Sequence, residues 1–185
     1  MADLFHRQAK NYAESRPSYP EELFEFIASK TPNHDLVWDA GTGSGQAAKS
    51  IFVMEVFLFE SYKINNSDQT LAGTDTSQEQ LDCAPKIPNV RYQCTPPNIP
   101  LSELKSIVAS PGTVDLVTIA AALHWFDLST FYQQVKQVLK KPHGVIAAWC
   151  YTVREANGNI PLVNEKFDTL FRQFISDSQP YWDPA

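Results

Sequence analysis

Leu36-Val37-Trp38-Asp39-Ala40-Gly41-Thr42-Gly43-Ser44-Gly45-Gln46 decides how the rest of the chain is read. Three apolar residues run into an acid, and three glycines follow within five positions. A short buried strand that ends in a glycine-rich turn and opens a helix is the first half of a βαβ unit. Glycines permit positive φ and let a ligand come close to the backbone. A helix starting at Gln46 offers its unpaired N–H groups, and the positive end of its dipole, to whatever lies over the turn.

Outward from this turn, short apolar runs alternate with helical ones. Helices are expected over 20–30, 46 to about 62, 78–84, 101–108, 128–140 and 163–175. Strands are expected over 36–38, 71–74, 90–94, 114–120 and 144–150. In the 128–140 helix, Phe131, Val135, Val138 and Leu139 share one face. Such alternation predicts an α/β fold, a Rossmann-like doubly wound and mainly parallel sheet. The apolar runs at 114–120 and 144–150 read as strands covered on both faces, with Cys150 in the core. Ligands of such sheets sit at the carboxyl ends of the strands, near the switch in strand order. The chain reads as one domain: a lid segment over 1–30, a core over 31–152, and a helix and tail over 153–185.

Composition narrows the function. The chain has 185 residues, 43% of them hydrophobic and 12% aromatic, enough for a packed core. Its 15 basic and 21 acidic residues give a net charge of -6, which disfavours a nucleic acid or a membrane surface as partner. Cys83, Cys94 and Cys150 are odd in number, far apart and outside any CxxC, so neither a disulfide framework nor a zinc site is expected. His6, His34 and His143 have no ligand spacing, so no metal is expected. The longest apolar stretch, residues 51–59, is nine residues long and includes Glu55, against the roughly 20 needed to span a bilayer. The first twenty residues contain no apolar signal core. A cytoplasmic location is the expectation.

Three ligand classes compete for the glycine turn. A nucleoside triphosphate requires GxxxxGK[ST], and there is no lysine here. A dinucleotide requires GxGxxG or GxGxxA; Gly43-x-Gly45-x-x-Ala48 meets the form but leaves Gly41 and Asp39 unexplained. It also sets a carboxylate beside a pyrophosphate. S-adenosylmethionine carries a carboxylate for the helix start and an ammonium for Asp39. The second strand ends in Gly73-Thr74-Asp75-Thr76-Ser77, where an acid can take both ribose hydroxyls. The plainer reading of Asp39 and Asp75 is that of turn or capping aspartates.

WDAGTGSGQ, GTDTS, VDLV and ALHWFD, in this order, resemble class I S-adenosylmethionine-dependent methyltransferases. Tyr12-x-x-x-Arg16-Pro17-x-Tyr19-Pro20 is similar to the small-molecule branch that includes trans-aconitate methyltransferase. KTP, TDTS, NVRY, TPP, ALHWFD and GVIAAWCYT are similar to a group of plant methyltransferase-like proteins. The likeness covers residues 1 to about 50 and 71 to 185. It implies that Asp39, Gly41, Thr42, Gly43, Gly45 and Gln46 surround the methionine moiety, that Asp75 holds the ribose with Thr76 beside the adenine, and that the 95–100 turn with Pro97 flanks it. Ala121 to Trp125 would line the methyl side and the acceptor pocket, and the N-terminal segment would fold over as a lid.

The sequence departs from the family twice. From Gly45 to Asp75 is 30 residues, where dinucleotide folds of this topology take roughly 20, and segment 51–69 is apolar nearly all round. The family also continues past PYWDPA with an antiparallel strand pair, so the resemblance implies a shortened chain whose sheet lacks that pair and whose fifth strand is an apolar edge.

The expected chemistry is methyl transfer to the oxygen or carboxylate of a small-molecule acceptor. His124 is the candidate base and Trp125 the candidate aromatic wall, while Tyr12, Arg16 and Tyr19 are substrate candidates. The alternatives are an impaired methyltransferase-like protein that binds cofactor weakly or acts as a partner, and a nicotinamide-dependent oxidoreductase. The sequence assigns neither the acceptor nor an oligomeric state.

Overall fold

The apolar runs become five strands, and the amphipathic runs between them become the helices that cover the sheet. A computed structural model describes residues 18–58, 70–151 and 161–178, with no side chains at 53–58 and 161–163. In chain order the elements are α1 (Glu21–Lys30), β1 (Leu36–Ala40), α2 (Gln46–Leu58), β2 (Thr70–Asp75), α3 (Gln78–Asp82) and β3 (Val90–Cys94). Then follow α4 (Leu101–Ile107), β4 (Leu116–Ala120), a 3-10 turn (Leu123–Trp125), α5 (Leu128–Val138), β5 (Val145–Trp149) and α6 (Pro161–Ser178). The strands lie in the order β3-β2-β1-β4-β5, and every pairing is parallel. The order reverses between β1 and β4, which puts the crevice of a doubly wound sheet above these two strands. Among the described residues no helix is long and apolar enough to cross a membrane.

The period-2 alternation of the strands sorts the core into two faces. On one, Trp38, Val117 and Ile119 pack with Leu104, Phe131, Val135 and Val138 from α4 and α5. On the other, Val37, Leu71 and Leu116 pack with Phe24 and Ile27 of α1 and with Ala48 and Ile51 of α2. The face expected on α5 is the buried one, and Gln134 joins it, donating to the Ile99 carbonyl at 2.6 Å. Leu139 leaves the helix to bridge Val114, so β4 begins at Leu116. Part of the 46–62 helix expectation falls on residues beyond Leu58 that lie outside the described ones.

Two expectations are corrected. β5 is an edge strand whose burial alternates, with Ile146 40% exposed, so it is not covered on both faces. Cys150 lies just past that strand and is exposed. The described residues form two compact units divided between Cys150 and Tyr151. The second contains α6, longer than expected at both ends, along which Phe167, Phe171 and Phe174 stack with centroids 6.0 and 6.4 Å apart.

At the amino ends of the strands, Asp115 is 2% exposed and ties three segments together. Its Oδ2 accepts the N–H groups of Asp35 and Leu36, each at 3.0 Å, and its Oδ1 meets Lys140 Nζ at 2.6 Å. The bond to Asp115 holds the Lys140 ammonium above its ordinary pKa. Removing this buried carboxylate strands two backbone donors and leaves Lys140 only its pair with Asp35 at 3.2 Å. Asp115→Ala is expected to lower stability by roughly 3 kcal/mol in urea denaturation; a loss below about 1 kcal/mol would show that this clamp is not needed.

Candidate cofactor-binding site

The turn after β1 adopts the backbone that only glycine takes without strain. Gly41, Gly43 and Gly45 have φ of 68°, 56° and 78°. Close packing makes the same demand. A Cβ on Gly41 would stand 2.6 Å from the Ala122 Cβ in the turn after β4, and one on Gly45 would stand 2.9 Å from the Tyr92 hydroxyl. The turns after β1 and β4 therefore meet across the switch point, and Ala121, a non-glycine at φ 51°, shapes the second.

The turn's amides are largely spent on the protein itself, so the unpaired N–H groups expected to face a ligand are those of the helix start at Gln46. The N–H groups of Gly41 and Thr42 donate to the Thr74 carbonyl at 2.9 and 3.0 Å, and that of Gly45 donates to the Thr42 carbonyl at 2.9 Å. Gly43 N–H donates to Asp75 Oδ2 at 2.8 Å, and Ser77 N–H to Asp75 Oδ1 at 2.9 Å. Asp75 thus pins the glycine turn to the tip of β2, while each of its oxygens keeps a lone pair for a further donor.

Asp39 stands behind this turn. It is fully buried, with Oδ2 accepting from Thr42 Oγ1 and Oδ1 from Thr118 Oγ1, both at 2.6 Å. Burial, followed by the nearby charge of Asp75, pushes its carboxyl up to about 6, against the pull of the two threonine hydroxyls and the Ala48 N–H. The sheet register explains the placement. Tyr92, Gly73, Asp39 and Thr118 are successive neighbours across β3, β2, β1 and β4. Gly73 has no side chain because the Tyr92 ring occupies its place; a Cβ there would be 2.7 Å from that ring. Burial, and then the Asp39 charge, push the Tyr92 hydroxyl up to about 12, so it stays protonated.

A cavity of about 280 Å³ opens above the turn. Of the cofactor candidates, Gly41, Thr42, Gly43, Gln46, Asp75, Thr76, Pro97 and Ala121 line it, whereas Asp39 and Gly45 lie behind the wall. Tyr19 and Trp125 line it too. His124 does not: it is exposed, its ring tilted against Trp125 at 4.6 Å. Tyr12 and Arg16 lie outside the described residues. Thr95, in the 95–100 turn expected beside the adenine, lines it as well, and so do Trp38, Gln80, Phe126 and Gln134, which the sequence does not single out as site residues. Trp38 was legible as strand core, and its Nε1–H reaches Thr74 Oγ1 at 3.0 Å; Ser77-x-x-Gln80 was legible as a capping pattern.

The electrostatics of the site have one sign. Among the described residues no cation pairs with Asp39 or Asp75, and no Lys, Arg or His lines the cavity. Nor does any group of three or more His, Cys, Asp or Glu side chains there suit a metal ion. A cationic ligand fits this floor and a pyrophosphate does not. S-adenosylmethionine, with an ammonium and a sulfonium, has that charge, and the two acceptors of Asp75 suit its ribose.

Because the folded-state pKa of Asp39 is raised, folding takes up a proton between pH 3.8 and about 6. The stability this contributes is complete below pH 3.8 and is lost as pH rises through about 6. At neutral pH the buried charge therefore costs about 3 kcal/mol relative to the protonated form. In thermal melts Asp39→Asn is expected to gain on the parent between about pH 4 and 6 and to level off above. A difference independent of pH would remove Asp39 as the titrating group.

Comparison with known proteins agrees with this geometry. The methyltransferase-domain family matches residues 38–148. A Dictyostelium discoideum protein named as a methyltransferase is 33% identical over 186 residues, covering 98% of this chain and 63% of that protein. A Saccharomyces cerevisiae protein named as an S-adenosylmethionine-dependent methyltransferase is 34% identical over 148 residues, covering 78% of this chain and 45% of that one. The chain thus spans about half to two thirds of the length of these curated relatives. Among solved structures, one named as a type II methyltransferase from Anaeromyxobacter dehalogenans superposes with a TM-score of 0.68 at 25% identity, over 92% of this chain and 61% of that one. One named as an S-adenosylmethionine-dependent methyltransferase from Methanococcus maripaludis gives 0.56 at 14% identity, over 97% and 72%, and shows the fold alone. With the family matched across the sheet from Trp38 in β1 to Ala148 in β5, the chain belongs to the methyltransferase-domain family.

Proposed function

We propose that this chain binds S-adenosylmethionine and methylates an oxygen or a carboxylate of a small-molecule acceptor. The observation that carries the reading is the pair of carboxylates, Asp39 and Asp75, beneath and beside the glycine turn, with which no cation among the described residues pairs. The bound cofactor supplies a methyl group activated on a sulfonium. Asp75 accepts from the ribose hydroxyls, and Thr76 and Pro97 flank the adenine. The cofactor carboxylate goes to the first turn of α2, where Gln46 and Ala47 line the cavity. Asp39 acts from behind the wall, holding the turn through Thr42 and lending its field to the ammonium.

The acceptor side is aromatic. Tyr19 and Trp125 line the cavity, and Tyr19 is anchored edge-on to Trp149 at 5.5 Å and to Phe24 at 6.3 Å. Their faces can exclude water and stabilise a sulfonium by cation–π attraction. Orientation alone supplies much of the rate of such a displacement, so a base is required only where the acceptor must lose a proton. His124 lies outside the cavity and would serve an acceptor that protrudes past Trp125. On the likeness to the trans-aconitate branch, Arg16 would bind an acidic acceptor, Tyr12 is a further substrate candidate, and the segment ahead of α1 would be the lid, α1 itself packing in the core. The exposed thiols of Cys83, Cys94 and Cys150 suit the reducing cytoplasm.

Calorimetric titration of the full chain with S-adenosylmethionine, S-adenosylhomocysteine and NADH tests the reading. Saturable binding of the first two is the expected result. Binding of NADH alone supports the oxidoreductase reading, and binding of none supports a partner protein. Asp75→Ala is expected to weaken S-adenosylmethionine by at least about tenfold, because hydrogen bonds to a charged acceptor are lost; unchanged affinity would take Asp75 out of the site.

A further inference from the structure

Trp149 supports both aromatic walls of the cavity mouth. Its ring meets Tyr19 edge-on at 5.5 Å, and its carbonyl accepts the Ala121 N–H at 2.7 Å. That hydrogen bond holds the turn after β4, which runs through Ala122 into the 3-10 turn containing Trp125. Ala120, Ala121, Ala122, Tyr19, Trp125 and Phe126 give the cavity an apolar, uncharged wall. Trp125 lines the cavity and is still 50% exposed, while Phe126 is backed by Phe131 at 4.5 Å. A flat aromatic ligand suits such rings, because it covers them and displaces water from their faces.

Oxygen acceptors require groups that the described part of this cavity lacks. A hydroxyl must lose its proton to a base, and no His or Lys among the described residues lines the cavity. Asp75 lines it, but its two oxygens accept the amides of Gly43 and Ser77. A carboxylate calls for a cation, and the floor beneath it is negative. A neutral ring nitrogen needs neither partner. Its lone pair is available without deprotonation, and its methylated form is a cation, which aromatic faces and a negative floor attract. Resting on the cofactor reading above, and not on its oxygen acceptors, we propose that the chain methylates the ring nitrogen of a planar, uncharged heteroaromatic compound held at Trp125 and Tyr19. The nitrogen lone pair forms the bond to the methyl carbon as the carbon–sulfur bond breaks and its electron pair goes to sulfur. One positive charge passes from the sulfonium to the ring, the cofactor becomes a neutral thioether, and no proton is released. The field that favours the sulfonium therefore also favours the product.

Isoquinoline, 2-naphthol and 2-naphthoate share a two-ring outline and offer a neutral nitrogen, a hydroxyl and a carboxylate. Each is incubated with the full chain and S-adenosylmethionine above neutral pH, and methylated product is followed by mass spectrometry against a sample without protein. Formation of N-methylisoquinolinium is the expected result, with or without methylation of the oxygen compounds. Methylation of an oxygen compound while isoquinoline is left unchanged overturns the proposal. Where none of the three is converted, calorimetry of the chain saturated with S-adenosylhomocysteine decides. N-methylisoquinolinium is expected to bind at least about tenfold more tightly than 2-naphthoate. Trp125 is half exposed, so it can be replaced without opening the core. The preference is expected to fall by about threefold or more in Trp125→Leu and to hold in Trp125→Phe. Equal affinities, or a preference unchanged in Trp125→Leu and so due only to the net charge of -6, overturn the proposal and leave the cofactor reading standing. A folded parent that binds neither S-adenosylmethionine nor S-adenosylhomocysteine overturns both.

Discussion

The buried Asp39 carboxylate is the constraint around which this domain is arranged. It has no contact with solvent, and its two oxygens are held by the hydroxyls of Thr42 and Thr118. One threonine belongs to the glycine turn and the other to β4, so a single side chain joins the turn to the strand across the switch point. Leaving such a group unsatisfied would cost several kcal/mol. The hydroxyls, together with the Ala48 N–H, reduce that cost without removing it, as the raised pKa records. The energy goes into fixing the turn in one shape before any ligand arrives.

The neighbours of Asp39 follow from its position. Gly73 must lack a side chain so that the Tyr92 ring can lie beside Thr42, and Gly41 must lack one so that Ala122 can close on the turn. Asp75, one strand over, pins Gly43 and Ser77 by their amides. Asp39 and Asp75 are thus bonded within the protein, whereas the Gln80 side-chain oxygen beside Gly43 has no donor among the described residues. The cavity inherits a negative floor with an aromatic mouth, which is why its chemistry selects a cationic nucleoside over a pyrophosphate.

The sequence was legible where local rules suffice. Leu36 to Gln46 reads as strand, glycine turn and helix because alternation, glycine content and the helix start all agree, and the structure places them so. Asp75 was legible as the acid at a strand tip. The burial of β5 was not: Val145 to Trp149 is as apolar as a central strand and reads as covered on both faces, its edge position followed only from the resemblance, and the sheet order leaves Ile146 in solvent. His124 has the chemistry of a base, but of the 3-10 turn at Leu123–Trp125 only the tryptophan lines the cavity. Gln80 was hidden because its expected partner, the Ser77 amide, is taken by a residue outside the capping box.

The sequence by itself determined the alternating α/β pattern, the glycine turn and the two acids at adjacent strand tips, because each depends on residues within a few positions of one another. The tertiary structure alone decided that Asp39 faces inward and Asp75 outward, that β4 lies beside β1, and that Gln80 reaches the turn. Those outcomes depend on parallel register between strands far apart in the chain. Register is set by how whole faces pack, and no local pattern carries it.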